Sequence, residues 1–186
     1  MKYLSQLILL FFLPWNINLF SCNVNHGTFS KTDIKFILLT DLHVSPGAAS
    51  DTALNRIVDE INKTEADFVI VTGDLSNTGS DAELNSVKKA LDRLNKKYHV
   101  IPGNHETNWA ESAGLTLRKF WGDDRFMFHY NGFCFAGFNT GPYMKMGDGH
   151  VKQEDLLWLK KQLSSIPSGE TFMAFCHYPL AEGLDN

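Results

Sequence analysis

The sequence predicts an α/β domain, and three observations predict it. Short, mostly apolar runs at residues 34–39, 68–71 and 98–101 alternate with two longer segments whose apolar residues recur at helical spacing. Two aromatic-rich runs, 126–130 and 133–138, follow and are joined by Asn131-Gly132. The three early runs, and a late one at 172–176, each stop at a polar group: Asp41-x-His43, Gly73-Asp74, Gly103-Asn104-His105-Glu106 and His177-Tyr178-Pro179.

Residues 34–39 read as a first buried strand ending at Thr40-Asp41. Ser50 or Asp51 then opens a helix in which Leu54, Ile57, Val58 and Ile61 fall at i, i+3, i+4 and i+7, giving one wet face and one core face. Residues 68–71 are β-branched and apolar throughout, as a strand covered on both faces should be. Ser80-x-x-Glu83 has capping-box spacing, and Leu84, Val87, Leu91 and Leu94 carry on as a helical stripe. Strand, helix, strand, helix, strand at this spacing implies parallel pairing through right-handed crossovers.

Beyond the third strand the spacing predicts a helix over 108–121, opened by Asn108-x-x-Glu111. Asn131-Gly132 then marks a hairpin, because both residues tolerate the positive φ of a type I′ turn, and here the sheet becomes mixed. Asn139-Thr140-Gly141-Pro142 ends the hairpin, and a loop through Gly147-Asp148-Gly149-His150 leads to a helix at 153–163 with Leu156, Leu159 and Leu163 on one side. Residues 172–176 form the last strand, and no cap or periodicity follows.

At 186 residues the chain has room for one domain with a sizeable core. Its formal charge of −4, with both signs interspersed, offers no basic stripe to a nucleic-acid backbone, so a phosphorylated partner needs a metal or a local pocket. Residues 1–21 carry Lys2, a short apolar run at 7–13 and the close Leu19-Phe20-Ser21-Cys22, the pattern of a secretory signal. Pro14 and Asn16 interrupt it before it reaches the length of a membrane span. Its end resembles the lipobox of bacterial lipoproteins, which implies export to the periplasm or cell envelope with a lipid anchor on Cys22; plain secretion is the alternative. Residues 22–33 read as a flexible leader and 34–186 as the domain. Cys134 and Cys176, each inside a strand, are expected to be inert core thiols.

The polar groups at the strand ends carry the chemistry. In an open α/β sheet the ends on one side share a crevice, so these residues are expected to converge. Carboxylate, imidazole and amide donors form the mixed N/O set that suits zinc, manganese or iron. One Asp can bridge two ions, and two ions about 3.5–4 Å apart activate water at neutral pH and clamp a phosphoryl displacement.

In this order the four motifs resemble those of the calcineurin-like metallophosphoesterases, a family that includes purple acid phosphatases and cyclic-nucleotide phosphodiesterases. The resemblance covers residues 36–179. It implies two packed, mixed β-sheets flanked by helices, an αββα sandwich. It also implies metal-dependent hydrolysis of a small phosphate mono- or diester by a hydroxide bridged between two ions of Mn, Zn or Fe. Carried over, Asp41 and His43 hold the first metal, Asp74 bridges, and Asn104 and His177 hold the second. His105 stabilises or protonates the leaving oxygen, and Glu106 orients the motif. The family's closing Gly-His-x-His does not follow His177, and Gly149-His150 is no substitute because Val151-Lys152 comes next. The domain is therefore read as C-terminally incomplete, lacking its last strands. A non-catalytic, envelope-anchored metal-binding or scaffold module of the same fold is the alternative. His99 and His129 are expected to be scaffold residues and His26 part of the leader. His150, Tyr143 and Tyr178 are rim residues for which packing is the default.

Overall fold

Period-two alternation in the first three strands places aromatic side chains on one face and aliphatic ones on the other, and this division sets the layers. The computed structural model describes residues 33–142 and 147–180. Strands β1 (Phe36–Leu39), β2 (Phe68–Thr72) and β3 (Lys97–Ile101) form a parallel sheet in that order, with Phe36 opposite Phe68 and Phe68 opposite Lys97. The crossovers are helices α1 (Ala49–Ile61) and α2 (Asp81–Leu91), the latter capped by the Ser80 side chain, which accepts the Glu83 N–H. Ile37, Leu39, Val69 and Val71 pack with Leu54, Val58, Leu84 and Val87 in one aliphatic core. β2 is buried at every position.

The aromatic face meets a second sheet. Strands β4 (Phe126–Tyr130) and β5 (Phe133–Gly137) pair antiparallel, and β5 pairs parallel with β6 (Thr171–Phe175). Asn131 (φ 47°) and Gly132 (φ 77°) make the left-handed turn expected between β4 and β5. Phe68 stacks on Phe36 at 5.4 Å and receives Phe128 and Phe135 edge-on at 5.0 Å each. His99 belongs to this layer, its ring stacked 4.2 Å from Phe128, and His129 pairs with Glu170 at 2.6 Å. Both histidines thus have scaffold contacts. Two sheets flanked by helices is the predicted architecture; among the described strands the first sheet is parallel throughout and the second is the mixed one.

One local expectation is corrected. The helix predicted over 108–121 forms only in its last part, as α4 (Leu115–Trp121), with a separate short helix α3 (Asn104–Thr107) before the predicted span, because Ala113 (φ 48°) and Gly114 (φ 89°) are left-handed and keep the helix from starting earlier. The apolar side of α5 (Gln153–Leu163) is not a core face: Leu156 is 52% and Leu163 42% exposed. Its buried residue is Asp155, paired with Arg125 at 2.8 Å, so among the described residues a polar contact anchors the helix. Cys134 and Cys176 are free thiols, and burial pushes both pKa values up. Among the described residues no helix is long and apolar enough to cross a membrane. The signal and lipid readings through Cys22, His26 and Tyr143 lie outside the described residues.

Candidate metal centre

Three loops leave the C-terminal ends of β1, β2 and β3, and the first two stay in register after their strands stop. Asp41 N–H donates to the Gly73 carbonyl at 3.1 Å, His43 N–H to the Asp74 carbonyl at 2.9 Å and Val44 N–H to the Leu75 carbonyl at 3.0 Å. Asp41 (φ 54°), His43 (φ 45°) and Asp74 (φ 48°) all lie in the left-handed region. Only Ala113 and Asn131 share that conformation among the other described non-glycine residues, so the strain is concentrated at this crevice. Each such residue costs on the order of 1 kcal/mol, which the ladder of backbone bonds between the loops offsets. Gly73 is required where it stands: a Cβ there would come 2.5 Å from the Gly103 nitrogen.

Six of the seven predicted site residues, Asp74 among them, come together at this crevice. His43 Nε2 and His105 Nε2 are each 3.8 Å from Asp74 Oδ2, and His177 Nε2 is 3.5 Å from Asp74 Oδ1. Asp41 Oδ1 lies 3.9 Å from His43 Nε2, and Asn104 Oδ1 lies 3.2 Å from His177 Nε2. Two groups can be drawn within 4.8 Å, His43-Asp74-His105 and Asp41-Asp74-His177, and they share Asp74. Donor atoms 3.5–3.9 Å apart are what ions with bonds of about 2.0–2.2 Å require of different residues, and the N/O set matches. The residues therefore fit divalent metal. Asp41 groups with His177 as readily as it neighbours His43, and His105 stands as close to Asp74 as His43 does.

Backbone carbonyls fix the rings. His177 Nδ1 is 2.9 Å from the Thr72 carbonyl and His105 Nδ1 is 2.6 Å from the Asn77 carbonyl. Donation from Nδ1–H leaves Nε2 facing the centre in both residues, the arrangement of a metal-ligating imidazole. Burial pushes the Asp74 pKa up, yet its bonds from His177 and the His105 N–H outweigh this and hold it below the usual range. Burial pushes His177 down, and Asp74 more than restores it.

Glu106 does not face the cluster. It is 1% exposed, and its carboxylate accepts Ser76 N–H at 3.1 Å, Ser76 Oγ–H at 3.0 Å and Gly103 N–H at 3.0 Å, tying the β2 and β3 loops together. Burial pushes its pKa up, against the pull of those donors. Sequence reasoning missed this layer. Glu83 accepts both Thr78 N–H and Thr78 Oγ–H and bonds Ser45, holding the loop whose Asn77 carbonyl meets His105. The polar run Ser76-Asn77-Thr78-Gly79 was the available signal. Of the rim residues, His150 is exposed and Tyr178 lies beside His177 with ring centroids 5.5 Å apart.

Comparison with known proteins agrees with this geometry. The family model described as calcineurin-like phosphoesterase matches residues 34–185. A protein of Arcobacter nitrofigilis named probable glycerophosphodiester phosphodiesterase is 29% identical over 145 residues, covering 72% of this chain and 50% of its own length. A 3′,5′-cyclic-nucleotide phosphodiesterase of Nostoc is 25% identical over 161 residues, covering 81% of this chain and 59% of the relative. The chain thus spans about half the length of the curated relatives it matches. Among solved structures, a dimetal phosphatase from Danio rerio superposes with a TM-score of 0.61 at 17% identity, over 80% of this chain and 70% of the other, a likeness of fold.

Proposed function

This chain belongs to the calcineurin-like phosphoesterase family, and from that premise we propose that its protein is a metal-dependent phosphodiesterase acting at the cluster around Asp74. The observation that carries this is the pair of three-residue groups sharing one buried carboxylate. Asp74 would bridge two ions, Asp41 and His43 would hold one of them, and Asn104 and His177 would hold the other. Such ions, when bound, supply Lewis acidity and activate water at neutral pH. His105 faces the same side with Nδ1 anchored on Asn77, which supports a role for its Nε2 in stabilising or protonating the leaving oxygen. Glu106 acts by holding Gly103 and Ser76.

Diesters are the better substrate class, since relatives over most of this chain carry phosphodiesterase names. The same names weigh against the non-catalytic scaffold. The experiment is turnover of bis(p-nitrophenyl) phosphate and p-nitrophenyl phosphate by full-length protein loaded with manganese, zinc or iron. Asp74→Asn and His105→Ala should each suppress it by about a hundredfold or more. Unchanged turnover in both variants sinks the assignment.

Export and lipidation at Cys22 complete the proposal, supported by the leader pattern in residues 1–22. Metabolic labelling with a fatty acid should be abolished by Cys22→Ala, and label that survives the substitution rules that anchor out.

A further inference from the structure

A row of rings leads outward from the centre. His43 meets His105 edge-on at 4.6 Å between centroids, and His105 meets the Trp109 indole at 6.1 Å and 39°. Trp109 is 65% exposed, so packing does not account for its large ring. Its backbone is nevertheless fixed to the candidate ligand loop. Trp109 N–H donates to the Asn104 carbonyl at 3.1 Å, and the next residue, Ala110, is 6% exposed. Ala110 is seated against Gly79, where a Cβ would come 2.5 Å from the Ala110 Cβ. Gly79 N–H in turn donates to Ser76 Oγ at 3.0 Å, the hydroxyl that Glu106 holds. An exposed indole is thus held by the same bonds that place Asn104 and His105.

We infer that Trp109 is a specificity-determining residue, a platform for a planar ring carried on the leaving-group side of the phosphoester. This rests on the proposed reading in which His105 stands over the leaving oxygen; a group attached to that oxygen then extends past His105 toward Trp109. An indole presents a flat, polarisable face, and aromatic pairs prefer offset or edge-on contact at 4.5–7 Å between centroids. A puckered ring of the same size gains area burial there without that extra attraction.

Two probes separate these contributions, benzylphosphonate and (cyclohexylmethyl)phosphonate, whose P–C bonds resist hydrolysis. Each is titrated by calorimetry into manganese-loaded full-length protein, wild type, Trp109→Phe and Trp109→Leu. The planar probe is expected to bind about three- to tenfold more tightly in the first two, with the ratio falling to about one in Trp109→Leu. Equal affinities in the wild type, a ratio unchanged in Trp109→Leu, or binding of neither probe overturns the inference. Turnover of bis(p-nitrophenyl) phosphate is measured on the same preparations. An intact ratio without turnover sinks the hydrolase reading alone, and turnover without the ratio sinks the Trp109 assignment alone.

Discussion

Gly103 is packed onto Asp74 so tightly that a Cβ on the glycine would overlap the aspartate's Oδ1 and backbone nitrogen and stand 2.9 Å from its Cγ. The glycine preceding Asn104 is therefore dictated by the carboxylate at the centre of the cluster, which follows β2, the preceding strand in the chain and the neighbour of β3 in the sheet.

Gly103→Ala should push Asp74 out of place, with an overpacking penalty of about 1–3 kcal/mol. Gly132→Ala provides the contrast: at φ +77° it is strained, yet nothing lies within 4 Å of its would-be Cβ. That strain alone is about 1–2 kcal/mol. Both variants should lose thermal stability, and only Gly103→Ala should also lose manganese affinity by calorimetry. Equal metal affinity in the two variants would count against the packing argument.

Glu106→Gln should show what the buried carboxylate holds. All three of its hydrogen bonds are accepted, from Gly103 N–H, Ser76 N–H and Ser76 Oγ–H, so either orientation of a glutamine amide turns an N–H toward a backbone N–H. The mismatch is expected to cost about 1–3 kcal/mol, lowering Tm by about 5 °C for a domain of this size. Scanning calorimetry reads it. A Tm equal to wild type would mean that the two loops hold together without Glu106.

The sequence made the centre legible because its donors sit at strand ends, where α/β topology alone brings them together. Asp41, His43, Asp74, Asn104, His105 and His177 needed no knowledge of side-chain contacts to be grouped. The supporting layer was not legible for the opposite reason. His105 is held by a carbonyl of Asn77 and His177 by a carbonyl of Thr72, and a backbone oxygen leaves no mark in residue type. The segment 108–121 misled because its cap-like Asn108-x-x-Glu111 precedes two left-handed residues, Ala113 and Gly114, and the helix starts only after them, at Leu115. In α5 the leucine spacing was right for a helix and silent about what, if anything, covers it.

Asp124 gives a pH signature away from the metal cluster. Burial pushes its carboxyl up, but the Arg118 guanidinium at 2.8 Å and the Asn139 amide at 3.0 Å outweigh this and hold its pKa below the usual value. Between the folded and unfolded values the unfolded chain binds more protons. The contribution is therefore complete above the unfolded value and is lost as pH falls through the folded one. Asp124→Asn lacks it. The gap in Tm between wild type and variant should be widest above about pH 5 and narrow toward about pH 3. Burial and then the Asp124 charge push the Asp155 carboxyl up, so Asp124→Asn also eases Asp155, and the comparison is made with Asp155→Asn in both proteins. A gap that widens on acidification would reverse the sign and refute the account.

Thr140 connects this buried layer to the loop that carries His177. Its hydroxyl oxygen accepts the Tyr178 N–H at 2.8 Å and its hydroxyl donates toward the Tyr178 carbonyl at 3.4 Å, clamping the residue that follows His177. Its neighbours complete the brace. Asn139 bonds Asp124 and accepts the Gly141 N–H, and Gly141 lies where a Cβ would come 3.0 Å from the Gly103 carbonyl oxygen. Thr140→Val keeps the volume and removes both bonds, freeing the His177 loop while leaving His43, Asp74 and His105 in place. A second manganese equivalent should then weaken by about tenfold, the scale for losing a group that orients a ligand, while the first is retained. Thr140→Ser keeps the hydroxyl and should restore it. If valine weakens both equivalents alike, or serine fails to restore the second, Thr140 is only a packing residue and His177 is positioned by its Thr72 bond alone.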